Sequence, residues 1–152
     1  MTPRSIVVAF DGTPESHHAL QDAADLARLS GARLTLVGVV ALVSRGFGVS
    51  MPTQEGEDRA RTETRASLEA ERARLETAGL AHVEAQLLEG DPVAAVVGFV
   101  EQHSADLVVV GSRGLDALGR YFLGSVSDGI LHYAGCSVLV VKPPRPSGRG
   151  RR

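Results

Sequence analysis

The chain has 152 residues, of which 43% are hydrophobic and 22% charged, so it has the size and apolar content of one globular domain with a buried core. Its formal net charge of −2 excludes the general attraction of a strongly basic protein for nucleic acid or for an anionic membrane surface. The single cysteine, Cys136, excludes a disulfide within the chain and favours a reducing compartment, so we expect a cytoplasmic protein.

The two ends of the chain differ in composition. The first four residues lead directly into an apolar strand, so we expect no signal peptide, and the apolar runs fall short of the ~20 residues that a membrane span needs. Residues 143–152 carry four arginines among prolines and glycines, a composition typical of a disordered, solvated tail. We therefore predict one domain over residues 1–142 and a basic tail over 143–152.

The first predicted elements are a strand at residues 5–10 and the helix that follows it. The strand is continuously apolar, as strands of buried parallel sheets are. Thr13 has the side chain of an N-cap, and Pro14 suits the first position of a helix. Gly31 is expected to end this helix.

The next elements are a strand at residues 34–40, a loop at 41–53 rich in Gly, Ser and Pro, and a long helix at 54–78. The helix is rich in Ala, Glu, Arg and Leu, which favour helical structure. Three charge pairs are spaced to meet on its exposed side: Glu57 with Arg61, Glu69 with Arg72, and Glu71 with Arg74. Its buried stripe is predicted at Leu68, Leu75 and Ala78 alone, so this helix should be the one most exposed to solvent.

The second half continues the alternation, with strands at residues 82–89, 107–110 and 138–141. One helix begins after Gly90-Asp91-Pro92 and another near Gly124. The inward face of the former is predicted at Val93, Val96, Val97 and Val100. Five strands alternating with four helices imply an α/β fold with a single open five-stranded parallel sheet, Rossmann-like, and helices on both faces.

The strongest functional signal is the loop after the fourth strand. It begins with Gly111-Ser112-Arg113-Gly114 and leads, after nine further residues, into Gly124-Ser125-Val126-Ser127. Loops of this length are usually functional, glycines let a backbone approach a ligand closely, and a helix start offers free N–H groups to an anion. The segment therefore predicts a phosphate cradle; for Ser125 alone, the favoured interpretation is a simple N-cap.

The spacing G-x2-G-x9-G-S resembles the ATP-binding branch of the universal stress protein family. The opening IVVAFDGTPES and the closing stretch LGSVSDGILHYAGCSVLVV resemble the same family, so the likeness covers most of the chain outside residues 41–78. It implies the adenine nucleotide α-hydrolase-like form of the fold. Two positions depart from the common family pattern: Gly38 replaces a frequent histidine, and residues 135–137 read Gly-Cys-Ser in place of Pro-Cys-Pro.

The resemblance implies that the chain binds ATP, with Mg²⁺ accompanying it. The glycines and Ser125 would hold the phosphates, Asp11 would lie near the nucleoside, and Val39 would offer backbone groups to the adenine. The residues expected to contact the nucleotide are Asp11, Gly12, Thr13, Val39, Gly111, Arg113, Gly114, Gly124, Ser125, Val126 and Ser127.

Two of these residues have competing interpretations. An ionised Asp11 would repel a triphosphate but accept hydrogen bonds from ribose hydroxyls or an amine, whereas aspartate before glycine is also ordinary turn chemistry. Arg113 could neutralise phosphate charge or simply be a solvated loop residue.

Other classes of site lack their motifs. The chain has no G-x4-G-K-[ST], no G-x-G-x-x-G in its first strand–helix turn and no G-x-S-x-G nucleophile elbow. The five histidines show no metal-ligand spacing, so no metal site within the protein is expected. A response-regulator receiver is excluded because Asp91, after the third strand, is used as a helix cap.

No general base or attacking nucleophile stands out beside the cradle, so no catalytic residue is assigned. We expect a nucleotide-responsive sensor or binder in the stress response. Two alternatives stay open: an ATP-dependent phosphotransferase or slow ATP hydrolase that uses Ser125, Ser127 or Asp11, and an interaction module in which the nucleotide is only structural.

Self-association is also expected. The resemblance implies an antiparallel homodimer through the last strand, from Val138 to Val141, and an unpaired apolar edge strand invites pairing. We expect no nucleic acid and no membrane among the partners.

Overall fold

A computed structural model describes residues 1–42, 53–113 and 123–144. Within these ranges, five strands alternate with four helices. In chain order they are β1 (Ser5–Ala9), α1 (Pro14–Ser30), β2 (Arg33–Val40), α2 (Gln54–Thr77), β3 (Val83–Glu89), α3 (Pro92–Gln102), β4 (Leu107–Gly111), α4 (Ser125–Tyr133) and β5 (Ser137–Val141). The order of elements is the predicted one. The predictions for Gly114, for most of the loop at 41–53 and for most of the tail lie outside the described residues.

The strands form one parallel sheet in the order β3-β2-β1-β4-β5. Ile6 in β1 lies beside Leu34 of β2 on one side and beside Leu107 of β4 on the other. The chain therefore winds outward from β1 to β3, then returns to the other side of β1 for β4 and β5. This reversal between β1 and β4 is where open α/β sheets leave a crevice at the carboxyl ends of their strands.

The alternation of side chains along the strands divides the core into two layers. Val8 packs with Leu20 of α1 and Leu68 of α2, whereas its neighbour Val7 packs with Val96 of α3 and Ile130 of α4. The prediction of an open five-stranded parallel sheet with helices on both faces is confirmed. No helix in the described part of the chain is long and apolar enough to cross a membrane.

Four side-chain placements differ from the prediction. Ala78 is exposed because α2 ends at Thr77. In α3, Phe99 is buried, whereas Val93 and Val97 are only half-buried, because the face that meets the sheet runs through Val96, Phe99 and Val100.

The first three helices begin with side-chain caps. Thr13 caps α1, Thr53 caps α2 and Asp91 caps α3, each accepting a hydrogen bond from a backbone N–H of the first turn. Gly31 ends α1 in the left-handed conformation, with φ of 70°. The caps predicted at Thr13 and Gly31 are therefore confirmed.

The fourth helix begins differently, and the prediction of Ser125 as its N-cap is wrong. Gly124 has the extended backbone of an N-cap, with φ of −67° and ψ of 162°. Its carbonyl accepts the first helical bond, from the N–H of Asp128 at 2.8 Å. Ser125 is thus already the first residue of the helix.

The exposed side of α2 carries the predicted ion pairs. Glu57–Arg61, Glu69–Arg72 and Glu71–Arg74 have charged atoms 3.7, 2.5 and 2.8 Å apart. Arg61 also pairs with Glu89 at the end of β3. Exposed pairs of this kind contribute little to stability because solvent screens them, so burial of Leu68 and Leu75 is the main contact that holds α2 on the sheet.

Candidate functional site

A cavity of about 310 Å³ opens at the carboxyl ends of β1, β2 and β4, where the strand order reverses. Its volume lies at the lower end of the range for small-molecule sites, roughly 300–1,000 Å³. Most of the predicted site residues that the structure describes line it: Asp11, Thr13, Val39, Gly111, Arg113, Gly124, Val126 and Ser127. Residues that are distant in the sequence thus converge on one cavity at the switch point of the sheet.

Two predicted residues do not line this cavity. Gly12 is exposed and occupies a turn with φ of +81°, a conformation that favours glycine. Ser125 is exposed on the first turn of α4. The role predicted for Gly114 falls outside the described residues.

The apolar wall of the cavity was not predicted. Phe10, Val37, Val96, Val110 and Ile130 line it and are buried in the core. The continuous apolar strands predicted the burial of Phe10, Val37 and Val110, and the inward face of α3 predicted that of Val96. The gap that the ends of three strands and two helices leave between them was not predicted. Such a wall suits a flat, weakly polar group.

Asp11 lies at the mouth of the cavity. Its Oδ1 accepts hydrogen bonds from the Thr13 N–H at 3.0 Å and from the Thr13 hydroxyl at 2.6 Å. Partial burial raises the pKa of Asp11, but the hydrogen bonds from Thr13 and Ser16 and the charge of Arg113 outweigh burial and hold that pKa below its usual value. Asp11 is thus an ionised turn residue, and its carboxylate lies where it can accept hydrogen bonds from a ligand.

The two described glycines of the loop are required by close packing. A Cβ on Gly111 would stand 2.6 Å from the backbone oxygen of Glu15, and a Cβ on Gly124 would stand 2.6 Å from Cγ of Arg113. Neither glycine has a left-handed backbone. Gly111 therefore allows α1 to meet β4, and Gly124 allows the Arg113 side chain to cross the start of α4.

The start of α4 presents its first-turn N–H groups beside the cavity. Because its N-cap is a glycine, no N-cap side chain satisfies the first-turn N–H groups, which have no partner within the helix. The Ser127 hydroxyl donates to the Gly111 carbonyl at 2.7 Å and so ties α4 to β4. With its proton used in that bond, Ser127 can offer an anion only its backbone N–H. This helix start, next to the Arg113 guanidinium, is suited to bind an anion.

A second cavity, of about 250 Å³, lies between the sheet and α2; we call it the α2 cavity. It shares Phe10, Asp11 and Val39 with the first cavity. The other described residues that line it belong to α2: Glu63, Thr64, Ser67 and Leu68. No motif signalled these residues, because they belong to a helix whose composition predicts only a solvated face.

The described residues give little support for a metal site or for a reactive thiol. Within residues 1–42, 53–113 and 123–144, no group of three His, Cys, Asp or Glu side chains could hold a metal ion. Cys136 is half-buried against the α3–α4 layer, and burial raises the pKa of its thiol. A protonated thiol is a poor nucleophile, so Cys136 serves as a packing residue.

Comparison with known proteins points to one family. The sequence profile of the universal stress protein family matches residues 2–142. A universal stress protein of Thermus aquaticus is 34% identical over 139 residues, which cover 91% of this chain and 98% of the relative.

Two similar solved structures contain nucleotides. One is a universal stress protein in complex with cAMP, with a TM-score of 0.70 and 27% identity over 93% of this chain and 98% of that one. The other is the universal stress protein of Archaeoglobus fulgidus in complex with dAMP, with a TM-score of 0.65 and 25% identity over 92% of this chain and 98% of that one.

Proposed function

The chain belongs to the universal stress protein family, and on that premise we propose that it binds ATP in the first cavity and acts as a nucleotide-responsive protein of the stress response. Relatives in complex with cAMP and dAMP support an adenine nucleotide as the ligand. The preference for a triphosphate and the role of a sensor are our proposals from the geometry.

The observation that carries the proposal is the uncapped start of α4 beside Arg113. The first three helices of the described chain use a Thr or Asp side chain to satisfy first-turn N–H groups, whereas α4 has none. Phosphate oxygens would accept from these N–H groups, and the Arg113 side chain, lying across Gly124, would supply a charge-assisted hydrogen bond. The cradle fits phosphate because donors and positive charge converge there.

The nucleoside would occupy the opposite side of the cavity. Phe10, Val37 and Ile130 provide an apolar surface for the base, and Val39 at the end of β2 offers backbone groups to its edge. The ionised carboxylate of Asp11 would accept from ribose hydroxyls. It would also repel the phosphates, which fixes the direction in which the nucleotide lies.

A magnesium ion would be held mainly by the phosphates. Asp11 and Glu15 are carboxylates among the described lining residues, and one Asp11 oxygen already accepts two bonds from Thr13. Mg²⁺ commonly keeps several waters and takes one or two carboxylates with substrate phosphates. Its contribution would be to neutralise charge on the triphosphate.

The arrangement favours binding over turnover. The Ser127 hydroxyl donates to a backbone carbonyl, and Asp11 is engaged by Thr13. Neither residue is thus activated as a nucleophile or general base. We propose slow hydrolysis at most, in a cytoplasmic protein that forms a homodimer through the edge strand β5.

Isothermal titration with ATP, with and without Mg²⁺, tests the proposal. Wild-type protein should bind one ATP per chain, and Arg113→Ala should weaken binding by about 10- to 150-fold, which corresponds to the ~1.5–3 kcal/mol of a charged hydrogen bond. Arg28→Ala, which removes an exposed arginine paired with Asp25, is the matched control. Release of phosphate far faster than about one per chain per hour would favour the alternative that the protein is an ATP hydrolase. If the wild type binds no ATP at all, the alternative of an interaction module would be favoured.

A further inference from the structure

We propose that the α2 cavity is the nucleoside-recognition subsite of this ATP site, in which Thr64, Ser67 and Glu63 hydrogen-bond the ribose 2′-hydroxyl or the exocyclic amine of the base. The inference rests on the proposed function and deepens it. It assigns a ligand-binding role to a helix that carries none of the residues implied by the family resemblance.

The first argument is continuity. The α2 cavity and the first cavity share Phe10, Asp11 and Val39, and two of these, Asp11 and Val39, are the expected nucleoside contacts. A nucleoside beside Asp11 and Val39 therefore lies where the two cavities meet. Its polar edge would face the side chains that α2 adds.

The second argument is the state of the α2 hydroxyls. Ser30 of α1 and Thr62 of α2 donate to backbone carbonyls four residues earlier, at 2.7 and 2.9 Å. Within the described residues, neither Thr64 nor Ser67 makes a hydrogen bond through its hydroxyl to another protein atom, although both lie on the same helix as Thr62. The two hydroxyls that line the cavity are thus the ones left available to a ligand.

The third argument is the close approach of α2 to the sheet at Gly38. A Cβ on Gly38 would stand 3.0 Å from both Cγ2 of Thr64 and Cδ1 of Leu68. Glycine at this position therefore lets α2 lie directly on β2, next to Val39. The Thr64 methyl is used in this contact, which leaves its hydroxyl as the branch available to the cavity.

The fourth argument is charge. Asp11 and Glu63 place two carboxylates on the α2 cavity, which disfavours phosphate and favours neutral groups that donate hydrogen bonds. Glu63 Oε1 also accepts a hydrogen bond from the Arg59 Nε at 2.7 Å, and both side chains are exposed. The phosphate end of the ligand belongs with Arg113 and α4, and the donor-bearing nucleoside end belongs with α2.

The test is titration of wild type, Thr64→Val and Ser67→Ala with ATP, 2′-deoxy-ATP and inosine triphosphate. Each variant should bind ATP about three- to tenfold more weakly, the effect of one lost hydrogen bond. If the sugar is recognised, the loss disappears with 2′-deoxy-ATP; if the base amine is recognised, it disappears with inosine triphosphate. Thr62→Val, whose hydroxyl is bonded to the helix backbone, is the matched control and should bind ATP as wild type does.

Three outcomes would overturn the inference. ATP affinity unchanged in both variants would remove α2 from the site while the proposed function stands. Equal losses with all three nucleotides would show that neither donor group is recognised. No nucleotide binding by the wild type would remove both proposals together.

Discussion

The side chain of Arg113 lies across the backbone of Gly124, with its Cγ 2.6 Å and its Nε 2.9 Å from the position that a Cβ on Gly124 would take. The contact joins the end of β4 to the start of α4. It places a guanidinium beside the first-turn N–H groups of α4. Both the guanidinium and these N–H groups are sources of positive potential in the candidate phosphate cradle. Gly124 is needed there because any side chain would displace Arg113.

Gly124→Ala should therefore weaken ATP binding by about tenfold, since a methyl group at this position collides with Arg113 near its base rather than at its flexible tip. Isothermal titration measures the effect. Gly135→Ala is the matched control, because a Cβ at Gly135 meets no atom within 4 Å. Equal ATP affinity of Gly124→Ala and wild type would show that the contact does not position a phosphate ligand.

Replacing each of two helical glycines by alanine should change the free energy of unfolding in opposite directions. A Cβ on Gly98 in α3 meets nothing within 4 Å, so Gly98→Ala should raise the free energy of unfolding by about 0.5–1 kcal/mol through helix propensity. A Cβ on Gly129 in α4 would stand 2.6 Å from Cγ2 of Val93. Gly129→Ala should therefore lower the free energy of unfolding by about 1–3 kcal/mol, the usual effect of overpacking.

Urea unfolding of the two variants at one pH gives both values. The same sign of change in both variants would contradict the described packing of α3 against α4.

The carboxylate of Asp106 should make stability depend on acid pH. Its Oδ2 accepts hydrogen bonds from the backbone N–H groups of Arg4 at 2.7 Å and Ser5 at 3.0 Å, and these bonds lower its pKa. Because the folded-state pKa is below the unfolded value of about 3.9, the stabilisation is complete above that value and is lost as pH falls through the folded-state pKa.

Asp106→Asn should therefore be less stable than wild type at about pH 6, and the difference should shrink as the pH falls below the unfolded-state pKa of about 3.9. Free energies of unfolding across this range test it, with Asp22→Asn, at an exposed position of α1, as the control. A difference that is constant with pH would show that the charge of Asp106 does not contribute.

The edge strand β5 should mediate dimerisation. It lies at the end of the sheet, and Val138, Leu139 and Val140 are only half-buried in the single chain. Val140→Lys should dissociate the dimer, because a lysine opposes edge-to-edge pairing. Sedimentation at micromolar concentration tests this, with Leu29→Lys, at an exposed position of α1, as the control. A strictly monomeric wild type that Val140→Lys leaves unchanged would contradict the proposal.

Features set by local sequence were predicted correctly. Thr13 and Pro14 begin α1 and Gly31 ends it, because capping and backbone preferences act over a few residues. The alternation of apolar strands with helices likewise predicted the parallel sheet and the helices on both of its faces. The rule that places ligands at the switch point also predicted where the first cavity opens, and its role as a ligand site stays a prediction.

Features set by long-range contacts were not predicted. Ser125 has better N-cap chemistry than Gly124, yet Gly124 is the N-cap, and the Arg113 side chain leaves no room for a Cβ at that position. The need for glycine at Gly111 comes from the backbone of Glu15 in another element. The cavity residues of α2, such as Thr64, depend on how closely that helix meets Gly38, which no local pattern specifies.

The central claim, that the first cavity holds an adenine nucleotide, is tested most directly on the purified protein without added ligand. The protein is denatured, the released small molecules are identified by mass spectrometry, and thermal unfolding is followed with and without about 1 mM ATP. We predict that ATP is recovered from the wild type in clear excess over Gly124→Ala, and that added ATP raises the melting temperature. No released nucleotide, together with an unchanged melting temperature, would contradict the account and make the glycine loop a purely structural feature.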